Sequence, residues 1–260
     1  SVAIRKIVKY IILGLVQGFT EPLPVSSSAH LVIASHYLGL QTDLNTEIWL
    51  HFASFWALAW FFRKDLWGMA KSVFRPKQYP EDFRTVLNLL IASLPIVAAG
   101  LLLKDTIERS FNDVKAVCLF LLLTSFVLVL TAFLINRNRK DSPAFGDSLI
   151  IGIFQSLAIF PGISRSAVTF LGTKVSKLET KPALKFSFYL CLIASFGAFV
   201  LALKDFDFSA FSAYDLITFV VCFWATLLGI SFLERNISQK SLLVFSLYAM
   251  ALSVLVFLTK

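Results

Sequence analysis

Apolar residues run through this chain in long unbroken blocks rather than in the one-faced or alternating patterns of a soluble fold. Residues 85–103, 116–135, 186–203, 216–233 and 241–259 each hold 18 to 20 residues without one charged side chain. A sixth block, 48–62, is shorter and strongly aromatic, with Trp49, Phe52, Phe55, Trp56 and Trp60 among its members. A helix needs about 20 residues to cross about 30 Å of hydrocarbon. The pattern therefore predicts an all-α polytopic membrane protein with six transmembrane helices.

Two further blocks break the rule. From Tyr10 to Thr42 the only charged side chain is Glu21, and from Ser148 to Thr173 the only one is Arg165. Proline interrupts both, in Glu21-Pro22-Leu23-Pro24-Val25-Ser26-Ser27-Ser28-Ala29-His30 and in Phe160-Pro161-Gly162-Ile163-Ser164-Arg165-Ser166-Ala167. Proline removes a helical hydrogen bond and disfavours helix at the residue before it. Broken backbone at membrane depth persists only where protein or a wet cavity surrounds it. Each block is expected to enter, break and return as a re-entrant helix hairpin.

The two hairpins are related. At an offset of 138, Gly14, Gln17, Ser26, Ser28 and Ala29 fall on Gly152, Gln155, Ser164, Ser166 and Ala167. A unit of one hairpin and three spans inverts its successor, because three crossings are odd. The expectation is one integral membrane domain over 1–260, built as inverted-topology repeats of about 1–140 and 141–260. In such architectures the shared site lies where the broken helices meet.

Composition sharpens this. Apolar residues make up 57% and charged residues 15% of the chain, against about 45–50% and about 25% in soluble domains. That excludes disordered, collagen-like and disulfide-scaffold classes. The net charge of +8 would suggest nucleic acid in a soluble protein. Here basic loops facing anionic headgroups account for it, and no nucleic-acid partner is expected. The loops at 63–85, 136–147, 173–185 and 234–240 hold 15 basic residues, and the opposite side holds 8: Arg5, Lys6, Lys9, Lys104, Arg109, Lys115, Lys204 and Lys260. By the positive-inside rule the first set is cytoplasmic and both termini face outward. No cleavage signature follows Arg5, Lys6 and Lys9, so the first apolar stretch is expected to be retained. Cys118, Cys191 and Cys222 lie inside apolar blocks without metal-like spacing and are read as small core residues.

The breaks carry the chemistry. A charge at the centre of a membrane helix costs about 2.5–3.5 kcal/mol and marks a functional site. Arg165 sits between serines just after Pro-Gly, where a guanidinium, hydroxyls and a helix N-terminus together suit a phosphate. The Pro22–Ser28 segment supplies a second helix start. His30 lies three residues after Ser27, on the same helical face, a spacing that serves a nucleophile with a base or a histidine that attacks by itself. Glu21, alone in its block, could orient the histidine, position a water or hold a divalent cation. His36 and His51 have no such company and are read as interfacial or packing residues.

The run Gln17-Gly-Phe-Thr-Glu21 with Ser26-Ser27-Ser28-Ala-His30 resembles the (E/Q)xxxE motif and serine-rich segment of the undecaprenyl-pyrophosphate phosphatase family, also called the bacitracin-resistance family. Pro161-Gly162-Ile-Ser164-Arg165-Ser166-Ala-Val-Thr169 matches that family's PGxSRSxxT motif in full, and the similarity runs the whole length. The resemblance implies a hydrolase of the bacterial plasma membrane that converts undecaprenyl pyrophosphate to undecaprenyl phosphate. This recycles the carrier for peptidoglycan and other envelope polymers, confers bacitracin resistance, and uses a site open to the outer, periplasmic face.

Carried over by position, Ser27 is the nucleophile, with His30 and Glu21 as acid–base or orienting partners. A competing proposal in the family makes the histidine the attacking group. Arg165 clamps the pyrophosphate, with Gln17, Ser26, Ser28, Ser164, Ser166 and Thr169 around it. Position 17 is glutamine where many members have glutamate, and Ala29 stands where many have glycine. With Glu21 as the one carboxylate, a Mg²⁺ or Ca²⁺ ion would rest mainly on substrate oxygens. A homodimer is compatible with the reading. The alternative is a lipid-phosphate flippase using the same anion pocket, which would need donors and cations but no acid beside a nucleophile.

Overall fold

The computed structural model describes residues 2–40, 44–103, 114–137, 139–203 and 212–259. They form an all-helical chain, with no strand among the described residues. Five helices are long and apolar enough to cross a membrane: α5 (Pro80–Leu102), α6 (Val114–Leu134), α9 (Thr180–Ala202), α10 (Ala213–Asn236) and α11 (Gln239–Leu258). Each lies over one of the five long blocks. The aromatic sixth block forms α3 (Leu44–Phe61), whose apolar part, Ile48–Phe61, is shorter than those five.

The helices are apolar outside and partly polar inside, the reverse of a soluble bundle. On α5 the exposed stripe is Leu90, Leu94, Val97 and Leu101, and on α6 it is Leu119, Phe126 and Phe133. The buried faces carry Thr124, Ser125 and Thr131 on α6, Thr218 and Thr226 on α10, and Ser246 and Ser253 on α11. These hydroxyls bond to carbonyls or to each other, as Ser253 does to Cys118 O at 2.6 Å and Ser125 to Ser246 at 2.9 Å. Hydrocarbon outside demands that pattern, because no water there can satisfy a polar group.

Segment 63–74, read as loop, is the helix α4 (Arg63–Phe74). Asp65 in its first turn and Lys71 in its last complement the helix dipole. Exposed Trp67 and Phe74 suit a helix lying at a membrane surface. Lys185 of α9 pins it through Asp65 at 2.9 Å. The same end of the molecule gathers the other basic loops: Glu179 N donates to Lys140 O, Thr180 Oγ1 donates to Ile135 O, and Lys181 and Arg235 line one cleft. At the opposite end Lys6 lies over the Tyr214 ring, Trp49 Nε1 donates to Asp215 O, and Tyr37 meets Thr259. Lys104, Arg109, Lys204 and Lys260 lie outside the described residues.

Both proline breaks are present. α1 (Val2–Thr20) ends at the Glu21-Pro22 step, a turn runs to Val25, and α2 (Ser27–Leu38) starts again. α7 (Phe145–Ser156) tightens into a 3₁₀ turn at Leu157–Ile159, bends through Pro161 and Gly162, and resumes as α8 (Arg165–Val175). Gly162 has φ +105°, and a Cβ there would lie 2.5 Å from Val117 O. Only glycine fits such a bend. Gly14 and Gly152, the pair at offset 138, do matching work: a Cβ on either would strike a carbonyl of the neighbouring helix, Thr218 O or Ala92 O. α1 thereby packs closely on α10, and α7 on α5.

Candidate active site

The two turns touch at their tips. Gly162 N donates to Ser28 Oγ at 3.4 Å, and Ser166 Oγ donates to Leu23 O at 3.2 Å. Each helix that leaves a turn is capped by a serine: Ser26 Oγ accepts from Ala29 N at 3.4 Å, and Ser164 Oγ accepts from Ala167 N at 3.3 Å. The cap hydroxyl in turn lies beside the serine two residues on, Ser28 at 3.3 Å and Ser166 at 3.1 Å. The first amides of a helix have no carbonyl of their own to bond. Two such starts at one point give a concentration of N–H donors and positive dipole ends that suits an anion. α6 steadies the second turn, where Thr124 Oγ1 donates to Gly162 O and accepts from Ser164 N, both at 2.9 Å.

On the first turn Ser27 Oγ donates to Glu21 Oε2 at 2.5 Å. Gln17 Nε2, one helical turn before Glu21, donates to the same oxygen at 2.9 Å. The other carboxylate oxygen accepts from Cys191 Sγ at 3.6 Å. Three side-chain donors thus converge on the buried Glu21 carboxylate, and one of them is the Ser27 hydroxyl. Its neighbour Ser26 is one of the two described non-glycine residues at positive φ (+69°, ψ +93°). Strain of this kind costs about 1–3 kcal/mol and persists only where surrounding contacts hold it.

Arg165 opens α8. Its Nη1 donates to Ser195 Oγ of α9 at 3.2 Å, while its buried Nε has no hydrogen-bond partner among the described residues. No ion pair joins Arg165 to Glu21 among the described residues. Cys191 and Ser195, 3.9 Å apart on α9, stand between them and touch one each. Arg165 and Glu21 are thus each bonded to a different side chain of α9.

Several residues sit where the sequence did not put them. Ser27 donates to Glu21, not to His30. Both His30 nitrogens are engaged elsewhere, Nδ1 with Ser26 O and Nε2 with Tyr248 Oη, each at 2.7 Å. Thr169 is fully buried and its hydroxyl donates back to Arg165 O at 2.8 Å, under the turn rather than at its mouth. His51 is not the packing or interfacial residue its aromatic block suggested: Nδ1 lies 3.1 Å from Gln17 Nε2 and 3.6 Å from Glu21 Oε2. Cys191 is buried as expected, but its thiol faces the acid. His51 could have been found by the rule that singled out Arg165, since it is a polar residue inside an uncharged block. Cys191, Ser195 and Tyr248 carry no such mark.

The donor set does not fit a resident divalent cation. No three His, Cys, Asp or Glu side chains gather as a metal centre among the described residues. Glu21 and His51 would give two ligands, but the Gln17 amide nitrogen lies within hydrogen-bond distance of both. Swapping the amide atoms would set Gln17 Oε1 against the carboxylate, so N–H groups face that space, and they repel a cation.

Residues 10–255 match the family described as bacitracin resistance protein BacA. A protein named undecaprenyl-diphosphatase from Thermosipho africanus is 34% identical over 248 residues, covering 95% of this chain and 98% of its own length. Undecaprenyl-diphosphatase 1 of Halalkalibacterium halodurans is 36% identical over 252 residues, covering 93% of this chain and 92% of its own. Undecaprenyl-diphosphatase 2 of Bacillus thuringiensis is 33% identical over 259 residues, with 96% of each chain covered.

Proposed function

The chain belongs to the bacitracin resistance protein BacA family, and on that premise we propose that it is the membrane enzyme that dephosphorylates undecaprenyl pyrophosphate at the meeting point of its two broken helices. The observation that carries this reading is the 2.5 Å bond from Ser27 Oγ to Glu21 Oε2 beside an arginine with an unpartnered buried nitrogen. A passive anion pocket has no use for an acid bonded to a hydroxyl nucleophile, and the relatives' names lend the flippase alternative no support.

Ser27 Oγ attacks the terminal phosphorus while its proton passes to Glu21 Oε2. The bond from that phosphorus to the bridging oxygen breaks, and undecaprenyl phosphate leaves with the electron pair. Water then attacks the phosphorus of the phosphoserine, the P–Oγ bond breaks, Glu21 returns its proton to Ser27 Oγ, and inorganic phosphate departs with the protons of the water. Arg165 and the amides at the starts of α2 and α8 bind the charge that builds on the phosphoryl oxygens. Low dielectric around the site strengthens each such contact. Phosphoryl transfer asks for little beyond positioning and charge stabilisation. His30, with both nitrogens engaged, serves as an orienting group. Mg²⁺ or Ca²⁺, where it takes part, accompanies the pyrophosphate as part of the substrate.

The inverted repeat belongs to the same proposal. The paired caps Ser26 and Ser164, the touching turn tips and the exchanged packing of α1 on α10 and α7 on α5 support two re-entrant hairpins entering from opposite ends, with α3 as the sixth span. The basic loops share one end, so the positive-inside rule makes that end cytoplasmic. α1 and α2 then enter from outside, and the site opens to the outer face, where the lipid's pyrophosphate arrives sideways from the bilayer.

The test is phosphate release from a polyprenyl pyrophosphate by the purified protein in lipid nanodiscs, beside Ser27→Ala and Arg165→Ala. Activity in the parent that both folded variants lose supports the reading. A folded parent that releases no phosphate, with or without Mg²⁺, overturns it.

A further inference from the structure

The residue before the nucleophile is the strained one, and the bonds that tie it to the start of α2 run through its hydroxyl and its carbonyl. Ser26 Oγ caps α2, and Ser26 O accepts from His30 Nδ1 at 2.7 Å. A carbonyl oxygen can only accept, so Nδ1 carries a hydrogen, and the neutral imidazole then has its lone pair on Nε2. That lone pair faces the hydroxyl of Tyr248, 2.7 Å away on α11. The two rings stack at 5.5 Å with 19° between their planes. His30 is buried at 8% exposure, whereas Tyr248 is 46% exposed and still brings its hydroxyl to the imidazole.

We propose that Tyr248 is a positioning residue of the active site. Its phenol donates to His30 Nε2 and fixes the Nδ1–H tautomer. His30 thereby holds the Ser26 peptide in the conformation that turns Ser27 Oγ onto Glu21. In the other tautomer Ser26 O would lose the shorter of its two donors, keep only the His30 backbone N–H at 3.3 Å and face the Nδ1 lone pair, and the turn would relax away from φ +69°. The proposal rests on the reading of Ser27 as nucleophile. It assigns a role to a residue outside both proline breaks, on the last helix of the chain.

Two readouts on the full chain in nanodiscs test it. The first is nitrogen NMR of ¹⁵N-histidine-labelled protein, with the His30 signals identified by their loss in His30→Gln. The parent is expected to show His30 as the Nδ1–H tautomer, and Tyr248→Phe to show a mixture with the Nε2–H form. The second is phosphate release. Tyr248→Phe is expected to lower kcat about 10-fold with KM within about 2-fold, the signature of a misplaced reacting group. In a Ser26→Gly background the same change should cost under about 3-fold, because glycine adopts positive φ without help.

An Nε2–H tautomer in the parent, an unchanged tautomer in Tyr248→Phe, or equal losses in both backgrounds overturns the proposal, the last by reducing Tyr248 to packing. A parent without phosphatase activity overturns the functional reading instead. The tautomer shift needs no turnover and still decides this one.

Discussion

The two proline breaks are built alike and equipped differently. In both, a serine caps the outgoing helix through the amide three residues on, and its hydroxyl pairs with the serine two residues on. Between cap and partner serine, the first break has Ser27 and the second has Arg165. At offset 138 Glu21 meets Ile159 and His30 meets Val168, so the acid and the imidazole belong to one half alone. Strain is divided unequally as well. The second turn places its positive φ on Gly162, two residues before a relaxed cap at φ −74°, while the first places it on Ser26, next to Ser27. Two copies of one scaffold thus supply two helix starts for an anion. In the proposed mechanism Glu21, Ser27 and His30 make the first copy the attacking half, and Arg165 makes the second the binding half.

That division can be broken one half at a time. Ser27→Ala removes the attacking atom and should cut phosphate release at least about 10³-fold, to the level left by binding and charge stabilisation alone. Glu21→Gln keeps the shape and a hydrogen-bond acceptor for Ser27 but removes the base. It should lower kcat by about 10²–10⁴-fold with little change in KM. Arg165→Lys keeps a charge on the binding half but loses the planar fork, and should cost about 10²-fold with KM rising. Steady-state phosphate release in nanodiscs orders the three. A result in which Arg165→Lys moves kcat alone while Glu21→Gln moves KM alone would reverse the assignment of the halves.

Much of this was legible in the residues, for physical reasons. Hydrocarbon permits so little polar exposure that the blocks behind α5, α6, α9, α10 and α11 mark themselves, and a lone charge or proline inside such a block is conspicuous. Glu21, Arg165 and both proline breaks were visible in that way. The Ser27–His30 pairing was not what formed, because i, i+3 spacing says which side chains share a face and not which of them meets a better partner across the fold. Glu21, bent back by Pro22, reaches Ser27 first, and Tyr248 reaches His30 from a helix 218 residues away in sequence. Thr169 followed its helix rather than the pocket, since a buried threonine readily bonds the carbonyl four residues back. α4 was hidden by its charges, which mimic a loop until their placement at the helix ends is noticed.

The smallest effect expected is also the one that separates the halves most cleanly, because the same substitution should change sign between them. Glycine in place of a capping serine costs only a few tenths of a kcal/mol in lost cap. At position 164 the backbone is extended and unstrained (φ −74°, ψ 118°), so Ser164→Gly adds only chain entropy to that loss. It should be destabilised by about 0.5–1 kcal/mol. At position 26 the backbone is at φ +69°, where a serine is strained and a glycine is not. Ser26→Gly should therefore gain about 1 kcal/mol net of the cap. In heat denaturation in detergent these become a midpoint about 2–4 °C above the parent for Ser26→Gly and about 1–4 °C below it for Ser164→Gly. Equal losses at both positions would mean that Ser26 is no more strained than Ser164. The asymmetry of the two turns would then lie in their side chains alone, and the strain next to the nucleophile would drop out of the account.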